Sequence, residues 1–203
     1  MDAVPMTAPL DDNDVAADPQ NTPGDTLGAA SGRIARFDAT VDRWWDALRG
    51  QAIVDRIMYG ASNVGEFSQL WHVLGAARAL SPRRQVSDAF RFSALMALES
   101  LVVNQGVKRL FARRRPGTAA ENPTRHPLRQ PITSSFPSGH ASAAFCAAAV
   151  LSRGSRLGPL YRVLATIVAV SRIHVRLHHA SDVIAGALVG EIFGRIASRL
   201  MRR

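Results

Sequence analysis

Six of the ten residues from Ala141 to Val150 are alanine, and the only cysteine of this 203-residue chain, Cys146, lies in the same run. Side chains this small let a neighbouring helix approach to backbone distance, so the stretch predicts a helix packed inside a bundle. Gly186 and Gly190, four residues apart on the last apolar segment, are likewise spaced for close helix approach. Further helices are expected at roughly 64–80, 86–110, 139–153, 158–172 and 181–200. Ser81-Pro82 separates the first two, and Gly154 with Gly158-Pro159 separates the third from the fourth. No stretch alternates apolar and polar residues long enough to make a strand. The fold class is all-α.

Charge divides the chain unevenly. Residues 1–32 contain six aspartates and no Lys or Arg, while the remainder has 25 basic and 10 acidic residues, −6 against +15 for a total of +9. With Pro5, Pro9, Pro19 and Pro23 and few large apolar side chains, residues 1–32 are expected to form a disordered acidic tail ahead of a helical domain at 33–203. No basic stretch leads into an apolar one there, so no cleavable signal peptide is expected. Residues 33–59 are expected to form an amphipathic interfacial helix. Ile34, Phe37, Val41, Trp44, Trp45 and Leu48 recur near helical spacing, with Arg36, Asp38, Asp42, Arg43 and Asp46 between them. An ordinary surface helix packing on the core fits the same pattern. The basic body points to a membrane surface or an anionic substrate. Nucleic acid fits worst, because no aromatics interleave with the basic runs as a stacking platform requires. Cys146, alone in its apolar run, reads as a buried packing residue and excludes disulfide and cysteine–metal schemes.

Chemistry concentrates in three short patterns. Lys108 is the only lysine among 25 basic residues, and Arg115-Pro116 follows it. A compact ammonium kept at one point of an arginine-using chain reads as a charge aimed at an anion. Lys108 and Arg115 are seven residues apart, two helical turns, and share a face if the helix runs that far. Arg109, Arg113 and Arg114 crowd the same stretch, so a plain basic cluster is the alternative there. Pro137-Ser138-Gly139-His140 leads into the alanine-rich helix, whose first N–H groups suit a phosphate, while His140 can move protons near neutral pH. Ser171-Arg172, His178 and Asp182 come last. At a spacing of four on a helix, the Asp182 carboxylate can reach the His178 ring, hold its tautomer and leave Nε2 to attack. Arg172 offers a planar fork to phosphate oxygens. His174 and His179 have no carboxylate four residues on, and His72 reads as structural. The surrounding arginines would repel a zinc ion, so no metal and no cofactor is expected.

Together these patterns, in this order and spacing, resemble the signature of the type 2 phosphatidic acid phosphatase family, over roughly residues 60–192. The stretch from His126 through Ser-Phe-Pro-Ser-Gly-His-Ala to Ser181-Asp182-Val-Ile-Ala-Gly also looks like small actinobacterial membrane lipid phosphatases. The resemblance implies that Lys108, Arg115, Ser138, Gly139 and Arg172 bind phosphate. It implies His178 as the nucleophile that becomes phosphorylated, Asp182 as its orienting partner and His140 as acid and then base. The run Ile-His-Val-Arg-Leu between Arg172 and His178, and His179 in place of an aromatic, depart from the family and bear on substrate preference.

On hydropathy alone the helices fit a bilayer and a soluble bundle equally. A spanning helix wants roughly 20 mostly apolar residues, and Glu99, Glu191 and Arg195 interrupt two of the segments. The resemblance tips this toward a multi-pass cell-membrane bundle of about five to six helices. Its implied function is hydrolysis of a lipid phosphate or diphosphate, polyprenyl-linked or glycerolipid, with the membrane and the lipid as partners. The arginines at the far ends of the helices put the catalytic face outside by a small margin. Two rivals are a catalytically silent protein that binds anionic lipids and a vanadate-dependent peroxidase.

Overall fold

Seven α-helices make up the computed structural model, which describes residues 23–80, 86–116 and 134–200, with side chains from Ser31 onward, Phe67 apart. They are α1 (Pro23–Asp46), α2 (Ala52–Val64), α3 (Gln69–Ala79), α4 (Val86–Leu101), α5 (Gly139–Leu151), α6 (Gly158–His174) and α7 (Ala180–Leu200). No strand occurs among the described residues, so the all-α expectation holds. The helix count exceeds the expected five to six, because the amphipathic stretch expected at 33–59 is two helices. Gly50, at φ +88°, turns the chain between α1 and α2 in a conformation that a side chain resists. α1 also begins at Pro23, inside the segment expected to lack structure. The rest of that expected tail, residues 1–22, and most of the expected 116–138 loop lie outside the described residues.

A second departure matters more for the site. The helix expected to run from 86 to 110 ends at Leu101, widens into a π turn at Val102–Gly106 and tightens into a 3-10 turn at Val107–Leu110. Phe111 then leaves it in extended backbone, φ −128° and ψ 137°. Lys108 and Arg115 therefore do not share a helix face. They reach the same place by different routes.

α5 is the axis of the bundle. Nine of its thirteen residues are buried, so it is enclosed on nearly every face, as an alanine-rich helix must be to find contacts. α7 packs along it most closely, with α6 alongside. Gly186, Gly190 and Gly194 form the α7 side of that contact. A Cβ on Gly190 would lie 2.0 Å from the Ser142 carbonyl oxygen, and one on Gly186 2.4 Å from that of Ser138. Trp71, Phe92, Met96, Tyr161 and Val168 fill the space that the alanines leave on the other side. Cys146 is fully buried and free, as its setting implied. His72 bonds Ser93 at 3.0 Å and packs edge-on against Phe92, a structural role.

The outer face of α7 has the opposite character. Ile184, Leu188, Ile192 and Ile196, four residues apart, are all half exposed or more. Glu191 interrupts α7 but pairs with both nitrogens of the Arg162 fork at 2.5 and 3.0 Å and with Arg195 at 2.6 Å. Among the described residues, no helix is long and apolar enough to cross a membrane.

Candidate active site

One end of the bundle gathers the residues singled out from the sequence. Ser138 caps α5 with its side chain toward the Ala141 N–H, placing Gly139 and His140 in the first turn with their backbone donors outward. Gly139 is needed there: a Cβ would come within 2.9 Å of Asn104 Oδ1 and 3.4 Å of the Lys108 ammonium. The π turn and the 3-10 turn swing Asn104 and Lys108 over the α5 N-terminus. Lys108 is buried. Burial, then the like charges of Arg115 and Arg172, push its pKa down to about 8, while Glu99 and Asp182 oppose the shift.

Arg115 arrives on the extended segment after Phe111. Its Nη1 donates to the Leu177 carbonyl at 2.7 Å and lies 3.1 Å from Nε2 of His178. Arg172, at the end of α6, is buried and donates to the Ser62 hydroxyl of α2. Its Nε and the Nε2 of His140 are buried with no hydrogen-bond partner among the described residues. Buried polar atoms in folded proteins are nearly always paired, so both atoms can bond a bound anion; the Glu66 carboxylate, 3.9 Å from the His140 nitrogen, is beyond hydrogen-bond range. Lys108, Arg115 and Arg172 gather near a helix N-terminus, a cradle whose chemistry suits a multiply charged anion.

His178 lies in the turn between α6 and α7, fully enclosed. Its Nδ1 is 2.7 Å from the backbone carbonyl oxygen of Ser135. A carbonyl only accepts, so Nδ1 carries the proton and Nε2 presents its lone pair, toward Arg115. Burial first, and then Arg115 and Arg172, lower the His178 pKa to about 4 against the pull of Asp182. The ring is neutral at physiological pH. A neutral ring in this tautomer has its Nε2 lone pair available for attack.

The Asp182 contact differs from the one the spacing predicts. The carboxylate stands 3.8 Å from Nδ1, beyond hydrogen-bond range, and Ser135 takes that proton instead. The four-residue rule requires both residues on one helix, and α7 starts only at Ala180. Asp182 instead accepts the His179 N–H at 2.9 Å through Oδ2 and Arg113 at 2.5 Å through Oδ1. Its backbone carbonyl receives the Ser138 N–H at 3.0 Å, tying α7 to the Pro137–His140 turn. The Phe136–Pro137 peptide in that turn is cis.

Several site-supporting residues had no signal in the sequence. Glu99, expected only as a polar interruption, is buried beneath Lys108 and accepts from the Ser142 hydroxyl. His174 turns away from the cradle. Its Nδ1 accepts from the Trp45 indole at 2.9 Å and its Nε2 faces Asp55 at 2.8 Å. Arg49 caps α6 by donating to the carbonyls of Ile173 and His174 at 2.8 and 3.0 Å, and it is held by Asp42 and Asp46. Arg176, at φ +55°, reaches Asp46 at 2.6 Å. α1 and the turn after it thus anchor the loop that carries His178. A signal for this existed only as charged residues on the α1 helix, indistinguishable from a solvated face.

Residues 88–203 match the PAP2 superfamily. A decaprenylphosphoryl-5-phosphoribose phosphatase of Mycobacterium tuberculosis is 32% identical over 151 residues, covering 71% of this chain and 82% of that protein. A lipid A 1-phosphatase of Porphyromonas gingivalis is 41% identical over 117 residues, which span 55% of this chain and 22% of that one. In fold, the chain superposes on a PAP2-type phosphatidylglycerolphosphate phosphatase of Bacillus subtilis with a TM-score of 0.66 at 20% identity, over 83% of this chain and 86% of that one. The matched region runs through Lys108, the Ser138–His140 turn and the Arg172–Asp182 segment that build the cradle. The chain belongs to the PAP2 superfamily.

Proposed function

We propose that this protein is a membrane-embedded phosphatase that hydrolyses a lipid phosphate or diphosphate through a phosphohistidine. The observation that carries it is the His178 ring. Its Nδ1 proton is fixed on a backbone carbonyl, and its Nε2 lone pair faces the cradle of Lys108, Arg115 and Arg172. In the first step Nε2 attacks the terminal phosphorus, and its bond to the leaving oxygen breaks, the lipid's own oxygen in a monophosphate and the bridging oxygen in a diphosphate. His140, entering the step as the imidazolium, protonates that leaving oxygen and becomes neutral. The three cations and the N–H groups around Ser138 and Gly139 take the charge of the non-bridging oxygens. In the second step His140 takes a proton from water, the hydroxide attacks phosphorus, the P–N bond breaks, and neutral His178 returns. Asp182, one shell behind, stabilises the imidazolium that exists between the two steps.

The named relatives act on a polyprenyl-linked sugar phosphate and on a lipid A phosphate, so a phosphorylated lipid is the substrate class supported for this chain. The apolar outer stripe of α7 fits a lipid-facing surface, and the charges that break its apolar run are paired with one another. The arginine-rich far ends of the helices favour a catalytic face turned outward.

The test is release of inorganic phosphate by detergent-purified protein with EDTA present, from phosphatidate, polyprenyl phosphate, polyprenyl diphosphate, a polyprenyl-phosphoryl pentose phosphate and a soluble ester. Wild type should release phosphate and a folded His178→Ala variant should not. Turnover by folded His178→Ala would end the phosphohistidine mechanism. Silence of folded wild type on every lipid would favour anionic-lipid binding without catalysis.

A further inference from the structure

α1 carries none of the three sequence patterns, yet one of its carboxylates reaches the site. Asp38 is 5% exposed. It accepts from Ser181 twice, from the N–H at 2.8 Å and from the hydroxyl at 2.7 Å. Its Oδ2 also pairs with Arg113 Nη2 at 2.6 Å. The other end of that fork, Nη1, donates to Asp182 Oδ1 at 2.5 Å and to the Ser181 hydroxyl at 2.7 Å. Ser181 and Asp182 are in the first turn of α7, where free N–H groups favour a carboxylate. A single guanidinium therefore bridges two buried carboxylates. Asp182 Oδ1 is committed to it, and Oδ2 is left for the His179 N–H and the near edge of His178.

We infer that Asp38 is a positioning residue of this site, acting through Arg113 to fix how Asp182 faces His178 and how much of its charge the imidazole senses. The kinetic part rests on the phosphohistidine reading above; the electrostatic part stands without it. The charged groups facing His178 are Asp182 from α7, Arg115 from the extended segment, Arg172 from α6 and His140 from α5. Arg113 and Asp38 stand behind Asp182. Asp38→Asn leaves Arg113 shared with one carboxylate instead of two, which disfavours protonated His178. Arg113→Gln leaves two carboxylates without their cation, which favours it. A strut that only held α1 in place would not move the imidazole in opposite directions.

The experiment is a titration of the ring nitrogens by 15N-histidine NMR on the full chain in detergent, with His178 assigned by its loss in His178→Ala. Relative to wild type, Asp38→Asn should be less protonated at the same acid pH and Arg113→Gln more protonated. Phosphate release measured alongside should show kcat down about tenfold in each, with KM within about twofold. An unmoved ring, or shifts of one sign in both variants, would overturn the inference. If Arg113→Gln does not fold, Asp38→Asn decides alone: unchanged or greater protonation overturns it. Wild type that releases no phosphate would count against the phosphatase reading, and the NMR result would still judge Asp38.

Discussion

The lone lysine is the residue whose chemistry differs most from its neighbours. Arginine stays charged at any pH the protein meets, whereas Lys108, buried among Arg115 and Arg172, has its pKa lowered to about 8. A phosphate site built on it should weaken as the ammonium loses its proton. We expect kcat/KM, which reports the free enzyme, to fall as pH rises through about 8. Lys108→Arg should lower the rate, because a planar fork is bulkier than the ammonium that sits 3.4 Å from a Cβ built on Gly139, but should abolish this alkaline limb. A limb that persists in Lys108→Arg would belong to another group. His178, with its pKa near 4, contributes nothing to that limb, being neutral throughout the range.

Among the elements, the contact between α5 and α7 sets the geometry of the catalytic end, because Ser138 and His140 start one helix and Asp182 the other. The glycines of α7 bring the two backbones together, and the tightest of these contacts is at Gly190, one helical turn beyond Gly186. Gly190→Ala improves helix propensity by roughly 1 kcal/mol, but its methyl would collide with the Ser142 carbonyl. Relief of that overlap by separation of the helices is expected to cost about 1–3 kcal/mol. A lowered melting temperature in detergent would show this, with a loss of activity beyond that at Gly60, where an added Cβ meets nothing within 4 Å. A melt unchanged at Gly190 would mean the helices part freely and do not set the site.

Across the whole molecule, the buried charges sit at one end while apolar side chains face outward along α7 and on other helices, Phe90 and Leu98 of α4 among them. A soluble bundle seldom exposes four large apolar side chains in one helical stripe, as α7 does with Ile184, Leu188, Ile192 and Ile196. We expect the protein in cells to sediment with membranes and to stay there through alkaline carbonate washing, and to precipitate when detergent is removed. Recovery in the soluble fraction without detergent would contradict the membrane assignment.

The sequence alone determined the helical class and singled out the residues that gather at the catalytic end. Small-residue runs, helix breakers and three spaced patterns are local, and helix packing follows directly from them. Lys108, Ser138, Gly139, His140, Arg115, Arg172 and His178 do meet at one end of the bundle. What the sequence did not carry is how they meet. It put Lys108 and Arg115 on one helical face only if the helix ran that far, whereas a π turn and an extended segment bring them in separately, since where a helix yields depends on what it packs against. It assigned the His178 proton to Asp182, whereas Ser135 takes it through a backbone carbonyl, which no side-chain pattern records. It placed Asp38 among the polar positions of an amphipathic helix and Arg113 in a basic cluster, although the two lock α1 onto α7. Pairings across 75 and 143 residues leave no periodicity in the chain, so only the tertiary structure decided them.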